Sequence, residues 1–155
     1  ANDLAYTGRI RYTGVPGLEL GLSLQYQENI TQGLDSEASA YLVETHLNYR
    51  SGDFGLRALY AEWNIDGSTA QVLGKDSQYG FYIEPSYKLN SDLQLFARYG
   101  EYNTSDTLPG SKVFEQTDVG VNWYIHEDVV IKADVINISG AIDDEGFNLG
   151  MGYLF

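Results

Sequence analysis

Leu18-Glu19-Leu20-Gly21-Leu22-Ser23-Leu24-Gln25-Tyr26-Gln27 places an apolar side chain at every even position and a polar residue or glycine at every odd one. A period of two is the strand period, because successive side chains of an extended chain point to opposite faces. The stretch therefore reads as a β-strand with one apolar and one polar face.

The same pattern recurs on both sides of it. Tyr79, Phe81, Ile83, Tyr87 and Leu89 alternate with Gly80, Tyr82, Glu84, Ser86 and Lys88. Leu93, Leu95, Ala97 and Tyr99 alternate with Gln94, Phe96, Arg98 and Gly100, and Val119, Val121, Trp123 and Ile125 with Asp118, Gly120, Asn122 and Tyr124. Nine such runs are readable, at 3–13, 18–30, 40–51, 54–66, 77–90, 93–104, 113–126, 128–138 and 147–155. Most approach the roughly 9–11 residues that a tilted strand needs to cross a bilayer, whereas soluble strands average nearer 5–6. No segment carries a helical period. The expected fold class is all-β: about nine antiparallel transmembrane β-barrel strands, with residues 1–155 forming one barrel region.

Composition agrees. Hydrophobic residues make up 43% of the chain, yet nothing approaches the ~20 consecutive apolar residues of a membrane helix. The 13 tyrosines suit strands and membrane interfaces, where the ring lies in the apolar layer and the hydroxyl stays wet. The 17 glycines recur inside strand-like runs, as in walls that curve or pack closely. A formal charge of −13 argues against nucleic acid as a partner, and two histidines without cysteine leave little for a transition-metal site. No cofactor is expected.

The connections alternate in length. Gly14-Val15-Pro16-Gly17, Ser51-Gly52-Asp53, Asn90-Ser91-Asp92 and His126-Glu127-Asp128 are tight, while 31–39, 67–76, 105–112 and 139–146 are longer. Short periplasmic turns and long extracellular loops are the habit of outer-membrane barrels. A sandwich has no reason to sort its loops this way. A periplasmic end at Phe155 would put Ala1 on the extracellular side, whereas bacterial barrels normally have an even strand number and both termini in the periplasm. Three explanations stand: the C-terminal part of a larger porin, which is preferred; an eight-stranded barrel with 3–13 as a tail; or an odd barrel closed by a parallel seam.

The last residues, Phe147 to Phe155 (FNLGMGYLF), resemble the C-terminal strand of outer-membrane proteins, with Phe147, Leu149, Met151, Tyr153 and Phe155 at alternate positions. That resemblance implies recognition by the barrel-assembly machinery. Ile10 to Glu19 (IRYTGVPGLE), Phe54 to Asp66 (FGLRALYAEWNID), Tyr82 to Asn90 (YIEPSYKLN) and Glu115 to Trp123 (EQTDVGVNW) are similar to stretches of the phosphate-selective porin O/P family of Gram-negative bacteria. The family would imply a trimeric barrel of roughly 16–18 strands around an aqueous pore, a size within the range of known barrels. No phosphate ligand is carried over.

The alternation assigns Arg9, Arg11, Glu19, Glu44, Arg50, Arg57, Glu84, Lys88, Arg98, Asp118, Lys132 and Asp134 to the lumen. Asp35, Glu37, Asp66, Asp76, Asp106, Asp143, Asp144 and Glu145 fall in extracellular connections, and Asp53, Asp92, Glu127 and Asp128 in periplasmic ones, so the acidity belongs to the loops. Any single arginine is expected to pair across strands; a collective effect on ion selectivity is expected rather than a discrete binding site. The expected function is a bacterial outer-membrane porin passing small hydrophilic solutes and ions, with anion preference. A non-conducting anchor or adhesion barrel, and the small eight-stranded barrel, are the alternatives. Outer-membrane lipid and lipopolysaccharide are the expected surroundings, with a homotrimer if the chain belongs to a full porin. Ser23 and Ser86 face inward with His46, but no motif joins them into a catalytic triad. Inward Gly21, Gly80, Gly100, Gly120, Gly150 and Gly152 are read as leaving space. Pro85 interrupts a strand, by a bulge or an unpaired seam, and Trp63 and Ile65 break the phase set by Leu56, Ala58 and Tyr60.

Overall fold

The structure, a computed structural model, describes residues 4–31, 37–105, 110 and 113–154. Nine strands follow one another: β1 (Ala5–Val15), β2 (Leu18–Gln27), β3 (Ser39–Ser51), β4 (Phe54–Asp66), β5 (Ser77–Lys88), β6 (Leu93–Asn103), β7 (Phe114–His126), β8 (Val129–Gly140) and β9 (Asp144–Tyr153). They form one sheet in chain order, each strand antiparallel to the next. Residues 5–15 pair with β2 along their length, so the first run is a strand and not a tail.

Tight turns at Pro16-Gly17, Gly52-Asp53, 89–92 and Glu127-Asp128 share one end of the sheet. Gly17 has φ +78, and a Cβ there would lie 2.1 Å from the Arg50 carbonyl oxygen, so only glycine fits. At 89–92 the Asn90 side-chain oxygen accepts from the amides of Asp92 and Leu93, both at 2.9 Å. The strand ends at Gln27 and Ser39, Asp66 and Ser77, and Asn103 and Phe114 share the other end, where 67–76 form the second connection. The second contains a single helical turn, α1 (Ser68–Val72). The fourth is shorter than its sequence suggests: β8 runs to Gly140 and β9 begins at Asp144, leaving 141–143. Gly140, at φ +93, closes that hairpin, and the Ala141 amide bonds the Val113 carbonyl at 3.0 Å. Its Gly, Ser and Asp residues imitate a loop, which is why Asp144 and Glu145 read as loop residues and instead open β9. Asp35, Asp106 and Phe155 lie outside the described residues.

Burial is inverted relative to a soluble protein. Among the described residues the buried apolar ones are Ala38, Ala40 and Phe96, while Asn29, Glu84, Gln94, Asn103, Asp118 and Asp134 are buried polar ones. Ile10, Leu24, Val119, Val135 and Leu149 stand out from the opposite face, Ile10 at 70% and Val135 at 62% exposure. Curvature explains the difference: side chains on a concave face shield one another. Residues from Thr13 at the end of β1 to Val130 on β8 line one cavity of about 640 Å³, so the polar face is the concave one.

The convex face is banded. Tyr12, Tyr49, Phe54, Tyr87, Trp123 and Tyr153 face outward near the tight turns, and Tyr6, Tyr26, Tyr41, Tyr60, Tyr79 and Tyr99 near the long connections. Aliphatic residues fill the interval. Tyr41 to Tyr49 spans about 26 Å along the strand at ~3.3 Å per residue, or roughly 20 Å along the normal at a ~40° tilt. That is close to the roughly 25 Å apolar band between the aromatic girdles of membrane barrels.

The two irregularities resolve. The register of β3 with β4 is unbroken, so Leu59, Ala61, Trp63 and Ile65 stay on the concave face and Glu62 and Asn64 on the convex one. Tyr60 and Asn64 both hydrogen-bond Glu62, at 2.7 and 3.0 Å. The apparent phase change marks where the strand leaves the apolar band, not a bulge. At Pro85 the β5–β6 pairing skips Glu84 and Pro85 and resumes in the same register, so a missing donor is absorbed by a local gap.

Candidate functional site

The concave face carries the chemistry. All twelve side chains assigned inward from the sequence lie on it, because partners directly opposite in an antiparallel ladder share a face. The register also brings charges together that are far apart in sequence. Glu19 stands opposite Asn48, Asn48 opposite Arg57, Arg57 opposite Glu84, and Arg98 opposite Asp118. Glu84 bonds Arg98, which joins these pairs into one row across β2 to β7 with charges alternating in sign.

Glu84 is the centre of that row, with a side chain only 4% exposed. Arg57 donates to its Oε1 through Nε at 2.9 Å and through Nη2. Arg98 donates to Oε2 through Nε at 2.8 Å and Nη2 at 2.5 Å. Four charge-assisted bonds satisfy a carboxylate that would otherwise be costly to bury. Arg98 also lies over the Tyr82 ring, 4.7 Å from its centroid.

A second cluster lies on β1 to β3. His46 Nδ1 meets Glu44 Oε1 at 2.6 Å, Ser23 Oγ donates to Glu44 Oε2 at 2.7 Å, and Arg9 Nη2 is 3.4 Å from His46 Nε2. Arg11 is 3.5 Å from Glu19. Glu44 thus stands between Ser23 and His46, so the serine gives its hydrogen to the acid instead of to an imidazole base. The order needed for a nucleophilic serine is not met. On β8, Lys132 Nζ is 3.2 Å from Asp134 Oδ1, an ion pair by distance whose angles miss those of a hydrogen bond. Lys132 also caps the Phe96 ring at 4.6 Å, and Asn148 donates to Asp134 Oδ2 at 3.1 Å. Sequence reasoning did not link Tyr124, Gln94 and Ser86, which form a chain at 2.8 and 3.0 Å toward the tight-turn end. Each lies on a different strand, and only register joins them.

The glycines need a correction. The space beside two of the six inward glycines is filled by a ring of the next strand. A Cβ at Gly21 would fall 2.1 Å from the His46 ring, and one at Gly120 would fall 2.6 Å from the Phe96 ring. Gly80 and Gly100 sit against Tyr102 and Tyr82, whose Cβ atoms would be 3.2 Å away. These glycines seat side chains of the neighbouring strand; Gly150 is open, and Gly152 meets only Val130.

Among the described residues one group has metal-ligand chemistry, His126, Glu127 and Asp128 at an exposed tight turn. His126 Nδ1 already accepts the Asp128 amide at 3.3 Å.

No family model and no curated protein matches the chain. The porin O/P likeness therefore rests on the phrases quoted above. Solved structures do match. The outer-membrane expressed OmpT of Vibrio cholerae superposes with a TM-score of 0.71 at 11% identity, over 97% of this chain and 56% of that one. The in-vitro folded form of OmpT, an outer membrane protein of the same organism, gives 0.69 at 11% identity over 97% and 55%. A KdgM porin, at 12% identity, reaches a TM-score of only 0.31 and carries no weight. The chain spans little more than half the length of the OmpT structures it matches. Its apolar convex face, polar concave face and nine-strand meander make its fold that of an outer-membrane β-barrel wall.

Proposed function

We propose that this sheet is part of the wall of a bacterial outer-membrane porin, a passive channel for small hydrophilic solutes and ions with a mild anion preference. One observation carries the reading: an apolar band between two aromatic girdles on the convex face, backed by an ion-paired polar face on the concave side. Lipid satisfies the first and water the second. With Asp144 at the start of β9 added to the twelve, the inward charges are seven basic and six acidic, which supports a slight excess of positive potential in the passage. Arg50 and Lys88, near the tight turns, form no ion pair among the described residues, so their charge is available to passing anions.

Hydrocarbon tolerates no open edge. β1 and β9 are the two edges and run the same way, so antiparallel closure takes an odd number of further strands. A barrel of roughly 16–18 strands meets that condition, and the 56% coverage of OmpT is consistent with it. Assembly into a trimer, insertion by the barrel-assembly machinery through Phe147, Leu149, Met151 and Tyr153, and lipopolysaccharide around the outer rim complete the proposal. Chemistry is not part of it: the channel positions solutes and does not transform them.

Planar-bilayer recording of the full chain in a salt gradient tests this reading. Discrete conductance steps with a reversal potential on the anion side are expected, moving toward cations in Arg50→Ala/Lys88→Ala. A folded barrel that gives no steps supports the non-conducting anchor instead.

A further inference from the structure

Inside the proposed passage, toward the long connections, the concave face turns from charged to aromatic. Ala61, Gly80, Tyr102 and Phe114 stand opposite one another in one row of the ladder, and Leu59, Tyr82, Gly100 and Gln116 in the next. Large and small side chains therefore alternate, and they enclose a cleft of about 300 Å³. Its floor is Ala61, Gly80 and Gly100, and its sides are Tyr82 and Tyr102. That volume is at the lower end of small-molecule sites, roughly 300–1,000 Å³.

The Tyr102 ring is stacked on Phe114, centroids 4.9 Å apart and planes within 2°. Phe114 is on β7 and Gly80 on β5, so the other face of Tyr102 looks across the row over Gly80 and Ala61. A tyrosine face held flat by a partner, above glycine and alanine, is a preformed platform. The polar end of the cleft is set by Arg98, Gln116 and Asp118. Arg98 uses Nε and Nη2 on Glu84, and its Nη1 makes no hydrogen bond among the described residues. Gln116 donates to Asp118 at 2.8 Å through its nitrogen, which leaves its oxygen as an acceptor.

Charge narrows the ligand. Of the charged residues that line the cleft, Arg98 is offset by Asp118, and Glu101 turns to the convex face beside Tyr99, so the surroundings are balanced and give neither an anion nor a cation an advantage. What remains is one aromatic face beside a free donor and a free acceptor. We infer that this cleft is a binding subsite for a neutral saccharide ring. The C–H face of a pyranose carries slight positive charge and meets the negative face of Tyr102, while its hydroxyls donate and accept at once toward Gln116 and Arg98. The inference rests on the channel reading for its biological use, but not for its chemistry.

The probe is maltotriose, compared with a polyethylene glycol of equal mass and with glucuronate. Trp63 lies two residues from Ala61 on the same face of β4, so in the full-length Trp123→Phe protein its fluorescence reports the cleft without any need for conduction. A saturable emission change with maltotriose is expected, absent with polyethylene glycol and no stronger with glucuronate. Tyr102→Ala should weaken it roughly three- to tenfold, the worth of one aromatic face. Tyr102→Phe should stay within about twofold, since the hydroxyl is not part of the platform. Ala61→Leu, which fills the floor and leaves the stack intact, should abolish it. In bilayers the same sugar should block the current saturably. Saturable binding without conductance would sink the channel and leave the subsite standing. Conductance without saturable binding, or equal affinity in Tyr102→Ala, overturns the subsite, and stronger binding of glucuronate overturns its neutrality.

Discussion

Replacing Glu84 with glutamine tests the centre of the polar face. The substitution keeps the side-chain shape and one acceptor oxygen but removes the charge that holds Arg57 and Arg98 together. A pair at ~4 Å is worth about 4 kcal/mol at an effective dielectric of ~20. Breaking a fully buried pair costs about 3–5 kcal/mol, and a surface pair about 0–1. Glu84 belongs to the first class, but the Arg57 and Arg98 side chains are 54% and 33% exposed and rehydrate once released. The expected loss lies between, at roughly 2–3 kcal/mol. Urea unfolding in lipid vesicles, followed by the mobility shift of the folded barrel on unheated gels, measures it. The same variant makes the wall more positive by one charge. At ~5 Å in water that is about 0.8 kcal/mol for a passing monovalent ion, reduced to about 0.5 by screening at 0.1 M salt. An anion gains and a cation loses about that much, so the anion-to-cation permeability ratio should rise about fivefold, and less at 1 M. A loss below ~0.5 kcal/mol together with an unmoved reversal potential would refute the reasoning, because Glu84 would then be neither an anchor nor a charge that the solute feels.

Three further outcomes follow from the faces and the glycine seats. Val135→Arg, on the convex face midway along β8, should cost about 2–4 kcal/mol in vesicles, whereas Ile136→Arg one residue on should cost well under half of that; equal costs would mean the faces are misassigned. Gly120→Ala should destabilise by about 1–3 kcal/mol, because its Cβ would come within 2.6 Å of Phe96 and 2.5 Å of the Ala133 carbonyl oxygen. Adding Phe96→Ala should recover only part of that in a double-mutant cycle, since the carbonyl clash remains. Pro85→Val restores a backbone donor where β5 and β6 lose their pairing, and unfolding should show a gain of up to about 1 kcal/mol; a loss would show that the gap is held by something other than the missing N–H.

Most of the fold was legible locally. Alternation in Leu18 to Gln27 names both faces of β2 without reference to any other strand. The tight turns announce themselves through Pro16-Gly17 and Gly52-Asp53, because turn geometry is a property of a few residues. The hairpin at 141–143 was overestimated for the same reason, since Gly and Asp at strand ends look like loop. Trp63 and Ile65 break the phase in the sequence because beyond the apolar band apolarity no longer marks the lipid face, and only the β3–β4 register places them on the concave one. The glycines misled because a missing side chain reads as space until the next strand's ring is known to fill it.

The sequence by itself determined the strand period, the order of strands and turns, and which side chains share a face, because each of these is set by neighbours two to four positions apart. Only the tertiary structure decided which charges meet. Glu84 finds Arg57 at 27 positions' distance and Arg98 at 14, and the Tyr102 platform exists only where β5, β6 and β7 lie side by side. Those contacts depend on register, and register is set by closing turns and matching faces over the whole ladder, which no short window of sequence contains.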